Sequence, residues 1–345
     1  MVKKQAQIIA EMAWAHDGSL DKAVSILENA AEAGATAISI HVTDLESYMV
    51  PTYGSGAERI SKHADESDVF KYLKRINLTH SDWREFADET KKIGIDLIAM
   101  PNDINSIKFC KKYLEPNALV LTAASFVDEI FIKEMADTKR PTLFRIGGAT
   151  LGEIESTINQ YENNNGGNIT LLHGFQNYPT NIEELNIKQV STLKKIFGKD
   201  VGLADHLDGS SKLATVIPIL AIALEATVLE KHITFDRAEK GEDYEAALDF
   251  KAFKEFVINI RAAEEALGTS RWQNLSDAAN RYRSVSRKRI VANSDIKIGE
   301  VINMNNIAIM RSDSGVRPEE LKYVVGRKAQ ISIAKWDGIE LESLL

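Results

Sequence analysis

The 345-residue chain sets 42 Lys and Arg against 50 Asp and Glu, and this formal charge of −8 argues against a broad nucleic-acid surface. With 44% hydrophobic and 27% charged residues it has core material for two domains, or for one large barrel with an appendage. The single cysteine, Cys110, cannot close an internal disulfide, which fits a reduced, cytoplasmic setting. The opening MVKKQAQIIAEMAW lacks the apolar run of a signal peptide. The most apolar stretch, 213–229, contains Pro218 and Glu225 and is short for a bilayer span, so no membrane role is expected.

Through the first 270 residues, short β-rich runs alternate with amphipathic helical stretches. Strands are predicted at 7–12, 37–42, 96–100, 118–123, 142–146, 169–173, 201–204 and 227–232. Helices are predicted between them at 20–34, 81–94, 106–114, 127–138, 151–164, 186–198, 210–226 and 250–268. Gly34, Gly94, Gly198 and Gly268 stand where left-handed helix stops are wanted. Eight such units imply an α/β fold, a (β/α)8 TIM barrel over residues 1–270, rather than an open doubly wound sheet. The stretch 43–80 reads as loop-rich, in the place of substrate-covering loops. Residues 271–285 read as a polar linker, and 286–345 as a small β-rich domain whose thin core leans on the barrel or on a second subunit.

Barrels of this kind gather their chemistry at the C-terminal ends of the strands. The polar residues there are Glu11 and His16; His41, Thr43 and Asp44; Asn102 and Asp103; Ser125; Arg145 and Thr150; His173, Gln176 and Tyr178; Asp205 and His206; and Glu230, His232 and Asp236. The remaining histidines, His63 and His80, fall in loop-like sequence. His206 and His232 end neighbouring strands and could share one divalent cation, since two imidazoles with water suit Mn²⁺, Co²⁺, Fe²⁺ or Zn²⁺. Ordinary hydrogen-bonded histidines satisfy the same spacing. Glu11 fits a general base, a hydroxyl anchor or an ion pair in the barrel mouth. Arg145, beside Gly147 and Gly148, fits either an anion carrier or a solvated arginine at a turn.

Six segments, in order, resemble the sialic acid synthase family. They are IAEMAWAHDGSLDKA (9–23), EAGATAISIHVTD (32–44), LLHGFQNYPT (171–180), VGLADHLDGS (201–210), VLEKHITFDRAEKGEDYEAAL (228–248) and SRKRIVANSDIKIGE (286–300). The resemblance implies a barrel with a C-terminal antifreeze-like (SAF) domain. It implies a metal, commonly Mn²⁺, on His206 and His232, and condensation of phosphoenolpyruvate with an N-acetylated amino-sugar aldehyde. Glu11 and Tyr178 then orient the sugar, with His41 where the family carries a glutamine. Asp243 and Gln176 face substrate. Arg145 and Arg287 are expected at phosphate or carboxylate and Thr150 at substrate, with Arg287 reaching a neighbour's site in a domain-swapped homodimer.

The chain also departs from the family's pattern. Ser39 stands at the lysine after strand two, Ala123 and Ser125 at phosphate- and sugar-binding positions after strand four, and Ala204 at a serine before the first metal histidine. Each lost charged contact weakens a phosphoenolpyruvate site by about 1.5–3 kcal/mol. Three functions therefore stand side by side. One is the conventional synthase, with Arg145 replacing the lost lysine. The second is an aldolase- or lyase-type reaction on another carbonyl compound, using the same metal without phosphoenolpyruvate. The third is a non-catalytic sugar-binding paralogue.

Overall fold

A computed structural model describes residues 5–53, 69–272 and 274–345. Two compact units emerge, Met1–Gly268 and Thr269–Leu345. In the first, eight strands close into a parallel barrel: β1 (Gln7–Glu11), β2 (Ala37–Val42), β3 (Asp96–Pro101), β4 (Ala118–Thr122), β5 (Thr142–Arg145), β6 (Ile169–His173), β7 (Asp200–Asp205) and β8 (Val228–His232). Each strand pairs with the next, and β8 returns to β1 with Glu11 level with His232. The α/β expectation of a TIM barrel is met strand for strand.

Strand alternation divides the side chains into two sets. Ile9, Ala37, Ile98, Val120, Leu143, Leu172, Ala204 and Val228 point inward and fill the barrel. Their neighbours, such as Ile8, Ile38, Leu97, Leu121, Phe144 and Leu203, point outward beneath the helices. Both faces are covered, which is why the strands read as nearly continuous apolar runs.

The helices begin where their caps are. Ser19 caps α1 (Leu20–Glu32). Two short helices, α2 (Leu45–Tyr48) and α3 (Val69–Ile76), lie within the stretch expected to be loop-rich. In α3, Val69, Phe70, Tyr72, Leu73 and Ile76 are buried at helical spacing. His63 lies outside the described residues. Thr79 and Asp82 form a capping box for α4 (His80–Ile93), which ends on the left-handed Gly94. The helix expected at 106–114 is α5 (Ile104–Phe109), followed by a wide turn over Cys110–Leu114. The ring continues with α6 (Glu129–Ala136), α7 (Leu151–Asn163), α8 (Gln189–Phe197), α9 (Leu213–Ala223) and α10 (Phe250–Leu267).

The second unit opens with α11 (Asp277–Ser286), capped by Ser276, where a linker was expected. No side chain of α11 is buried, so its sequence has no apolar stripe to announce a helix. An antiparallel pair, β9 (Lys288–Ala292) and β10 (Ile307–Arg311), then covers a core that includes Ile290, Ile296, Ile302, Val324 and Ile339.

Candidate active site

The inward parity of each strand decides which polar residues meet at the barrel mouth. On β1 the side chain two residues beyond inward Ile9 is Glu11, and on β5 the one beyond Leu143 is Arg145. Beyond Ala204 comes His206; beyond Val228 come Glu230 and then His232. All are buried. Between them, Asp205 and Lys231 point the other way and form an ion pair at 3.0 Å in the barrel wall, the Lys231 ammonium also donating to the Leu207 carbonyl. That pair ties β7 to β8 behind the two histidines.

Arg145 is 3% exposed and reaches across the barrel. Its Nη2 donates to Glu11 Oε2 at 2.8 Å and lies 2.8 Å from Glu230 Oε1, while Nη1 points at Met100 Sδ at 3.6 Å. This is not the solvated arginine that the sequence allowed as one of its alternatives. Glu11 is the ion-paired residue that the sequence offered as one of its alternatives. The adjacent Gly147 is needed for packing: a Cβ there would run into the Gly174 carbonyl and Phe175, and one on Gly174 into the Ala204 carbonyl. These glycines let the ends of β5, β6 and β7 close together.

The charges follow from this geometry. Burial works to raise the Glu11 carboxyl, but Arg145, His41 and His232 overcome it and hold Glu11 well below the usual carboxylate range. Burial pushes Glu230 up to about 7, with Glu11 adding repulsion that Arg145 only partly offsets. Burial works against the Arg145 charge, yet Glu230 and Glu11 keep it firmly protonated. His41 Nε2 lies 3.1 Å from Glu11 Oε1, and its ring meets Trp14 edge-on at 4.5 Å. Burial lowers the His41 pKa despite the neighbouring carboxylate.

His206 and His232 stand with ring centres 5.1 Å apart, and Tyr178 packs edge-on against both, at 5.2 and 5.6 Å. Burial lowers the pKa of both imidazoles, that of His232 to about 3, so both are neutral. Both nitrogens of His206 and Nε2 of His232 are buried without a hydrogen-bond partner. Neutral rings with free lone pairs suit a metal. No cluster of three or more His, Cys, Asp or Glu residues is placed to hold one among the described residues, so water or substrate oxygens must complete any coordination shell. Asp243 Oδ2 lies 3.9 Å from His232 Nδ1, too far for a hydrogen bond. Burial, followed by Asp243, raises the Tyr178 pKa well above its ordinary value, leaving its hydroxyl protonated.

Not every predicted residue joins this cluster. Thr150 is spent capping α7 with Glu153, and Gln176 is exposed. Arg287 lies in the second unit, 3.5 Å from Glu319. Asp103 caps α5, and His173 Nε2 is 2.7 Å from the Leu185 carbonyl. Glu230 was only one of many strand-end residues in the sequence; counting back two from His232 along an inward-facing strand is the signal that would have promoted it. Ser39 is buried on the same interior face with its hydroxyl unpaired.

A closed eight-stranded parallel barrel with buried acids, histidines and a tyrosine at its strand ends defines a (β/α)8 enzyme. The chain belongs to the NeuB family, whose profile matches residues 26–271. It is 30% identical over 340 residues to the pseudaminic acid synthase of Campylobacter jejuni strain 81-176, covering 98% of this chain and 96% of that protein. The N,N′-diacetyllegionaminic acid synthase of Campylobacter jejuni strain NCTC 11168 is 27% identical, covering 94% of this chain and 96% of the relative. Among solved structures, a spore coat polysaccharide biosynthesis protein E from Chromobacterium violaceum superposes with a TM-score of 0.75 at 19% identity, covering 99% of this chain and all of that one. The chain is thus an enzyme of sialic acid synthase type, acting in sugar biosynthesis. No helix among the described residues is long and apolar enough to cross a membrane.

Proposed function

We propose that the barrel joins a three-carbon unit to the aldehyde of an amino sugar, giving a sialic-acid-like nonulosonate, with phosphoenolpyruvate as donor. The observation that carries the reading is the pair of neutral, buried imidazoles of His206 and His232 beside Tyr178, with both nitrogens of His206 and Nε2 of His232 without a hydrogen-bond partner. These two residues would hold a divalent ion, Mn²⁺ foremost and Zn²⁺, Co²⁺ or Fe²⁺ as alternatives. When bound, the ion supplies Lewis-acid polarisation of the sugar carbonyl. Tyr178, kept protonated, donates to a substrate oxygen, while ionised Glu11 and neutral His41 are the proton acceptors on the β1–β2 side. In the condensation, carbon three of the donor bonds to the aldehyde carbon; water then adds at carbon two, and phosphate leaves with C–O cleavage.

One observation favours a second reading, aldolase- or lyase-type chemistry on another carbonyl compound without phosphoenolpyruvate. Arg145 is shared by two carboxylates, so its charge is already balanced. A multiply anionic donor would have to displace Glu11 or Glu230 from it, losing a charge-assisted contact worth about 1.5–3 kcal/mol. Calorimetric titration of phosphoenolpyruvate into the Mn²⁺-loaded protein separates the two. Saturable binding supports the synthase; no heat at millimolar donor sinks it and leaves the carbonyl chemistry to be screened with pyruvate and aldehydes.

A further inference from the structure

Outside the barrel, between α7 and α8, lies a cavity of about 450 Å³. It is lined by Ile146 just past β5, Ile154 of α7, Thr192 and Leu193 of α8, and His173 and Phe175 at the end of β6. Ile146, Ile154 and Leu193 belong to the layer between strands and helices, not to the barrel interior. On β6 the inward side chain is Leu172, so His173 points outward as well, away from the mouth. The reaction described above therefore makes no use of this cavity.

The walls select a ligand. The volume suits a small molecule, and aliphatic side chains with two flat rings suit an aromatic one. The polar handle is His173, which is only 8% exposed. Its Nε2 lies 2.7 Å from the Leu185 carbonyl, which can only accept, so the ring hydrogen is on Nε2. Nδ1 is then a bare acceptor with no partner among the described residues, and it keeps accessible surface. Burial lowers the His173 pKa, which keeps the ring neutral. A ligand without a donor would cover Nδ1 and leave it unsatisfied, so an N–H or O–H on the ligand is favoured. The cavity is also tied to the mouth. The Phe175 carbonyl accepts from Thr180 Oγ1 at 3.3 Å, and the Thr180 N–H donates to the His206 carbonyl at 2.9 Å. Between them in the chain, Tyr178 packs against His206 and His232.

We propose that this cavity is a regulatory site for a small aromatic molecule carrying one N–H or O–H donor, and that the 175–180 segment transmits its occupancy to the two mouth histidines. The test is titration of indole into the full chain labelled with ¹⁵N at histidine, each resonance being assigned by substitution. The control ligand is 1-methylindole, which keeps the rings and lacks the donor. Thr192→Trp, at an exposed position of α8, fills the cavity. Indole is expected to shift His173 Nδ1 saturably, with accompanying shifts at His206 and His232. Binding of 1-methylindole should be about 2- to 12-fold weaker, and Thr192→Trp should remove the indole response at all three histidines. Indole that leaves His173 unmoved at millimolar concentration, or shifts that survive Thr192→Trp, overturn the site. A response confined to His173 overturns the transmission. None of these readouts needs a bound metal or a turnover, so the outcome is independent of the proposed condensation.

Discussion

Replacing Arg145 by methionine tests whether this residue clamps two acids or waits for an anion. The substitution keeps an apolar stem of similar reach and leaves Glu11 and Glu230 buried in the mouth. Each carboxylate has an oxygen 2.8 Å from Arg145 Nη2. Removing one partner of a buried ion pair costs about 3–5 kcal/mol, because the other charge is left uncompensated. Two acids do not double that figure. Glu230, already raised to about 7, can take up a proton, and Glu11 keeps His41 at 3.1 Å. For a barrel of this size the loss corresponds to a melting temperature lower by on the order of 10 °C.

The pH dependence gives a sharper signature of the same variant. Without Arg145, burial raises both carboxyls above their unfolded values, so the folded variant holds protons that the unfolded chain releases. That stability is present at low pH and is lost as pH rises. In the unsubstituted protein Glu11 is held low, which works in the opposite direction. The gap in melting temperature, followed by scanning calorimetry, is therefore expected to widen from pH 5 to pH 8. A variant that melts within about 2 °C of the parent across this range, with a flat gap, would refute the clamp and return Arg145 to the role of a free anion receptor.

Three further outcomes are expected. The protein purified without chelator should carry a divalent ion by elemental analysis, and His206→Ala and His232→Ala should each lose it; retention in both variants would rule out the pair as ligands. Lys231→Met should cost about 3–5 kcal/mol in urea unfolding by stranding Asp205, with part of the loss recovered in Lys231→Met/Asp205→Asn; an additive double variant would show that the pair is not coupled. His16 is buried with Nδ1 accepting from the Gly18 N–H, and burial, with His41 and Lys22, lowers its pKa from 6.5 to about 3. The unfolded chain thus binds a proton that the folded protein refuses, and His16 costs up to about 1.4 kcal/mol of stability per pH unit as pH falls from 6.5 toward 3. His16→Asn should flatten that slope, and an unchanged acid limb would exclude it.

The barrel was legible in the sequence because strand and helix periods are local. Alternating apolar runs and the glycine stops at Gly94 and Gly198 each act within a few residues. Helix α11 was missed for the complementary reason: none of its side chains is buried, so no apolar stripe marks it. The histidines His206 and His232 were legible too, since ending adjacent strands of a closed barrel leaves them little choice but to meet.

What only the tertiary structure decided is the partnership of residues far apart in the chain. Glu11 and Arg145 are 134 positions apart, and nothing local distinguishes an arginine aimed across a barrel from one in solvent at a turn. Closure of the sheet puts β5 opposite β1 and β8, and strand parity turns Arg145, Glu11 and Glu230 toward the same interior point. Once there, water is excluded and each charge must find its partner within the protein. The sequence by itself determined which chemical groups the mouth contains; the fold determined which of them neutralise one another and which, like His206 and His232, are left with open valences.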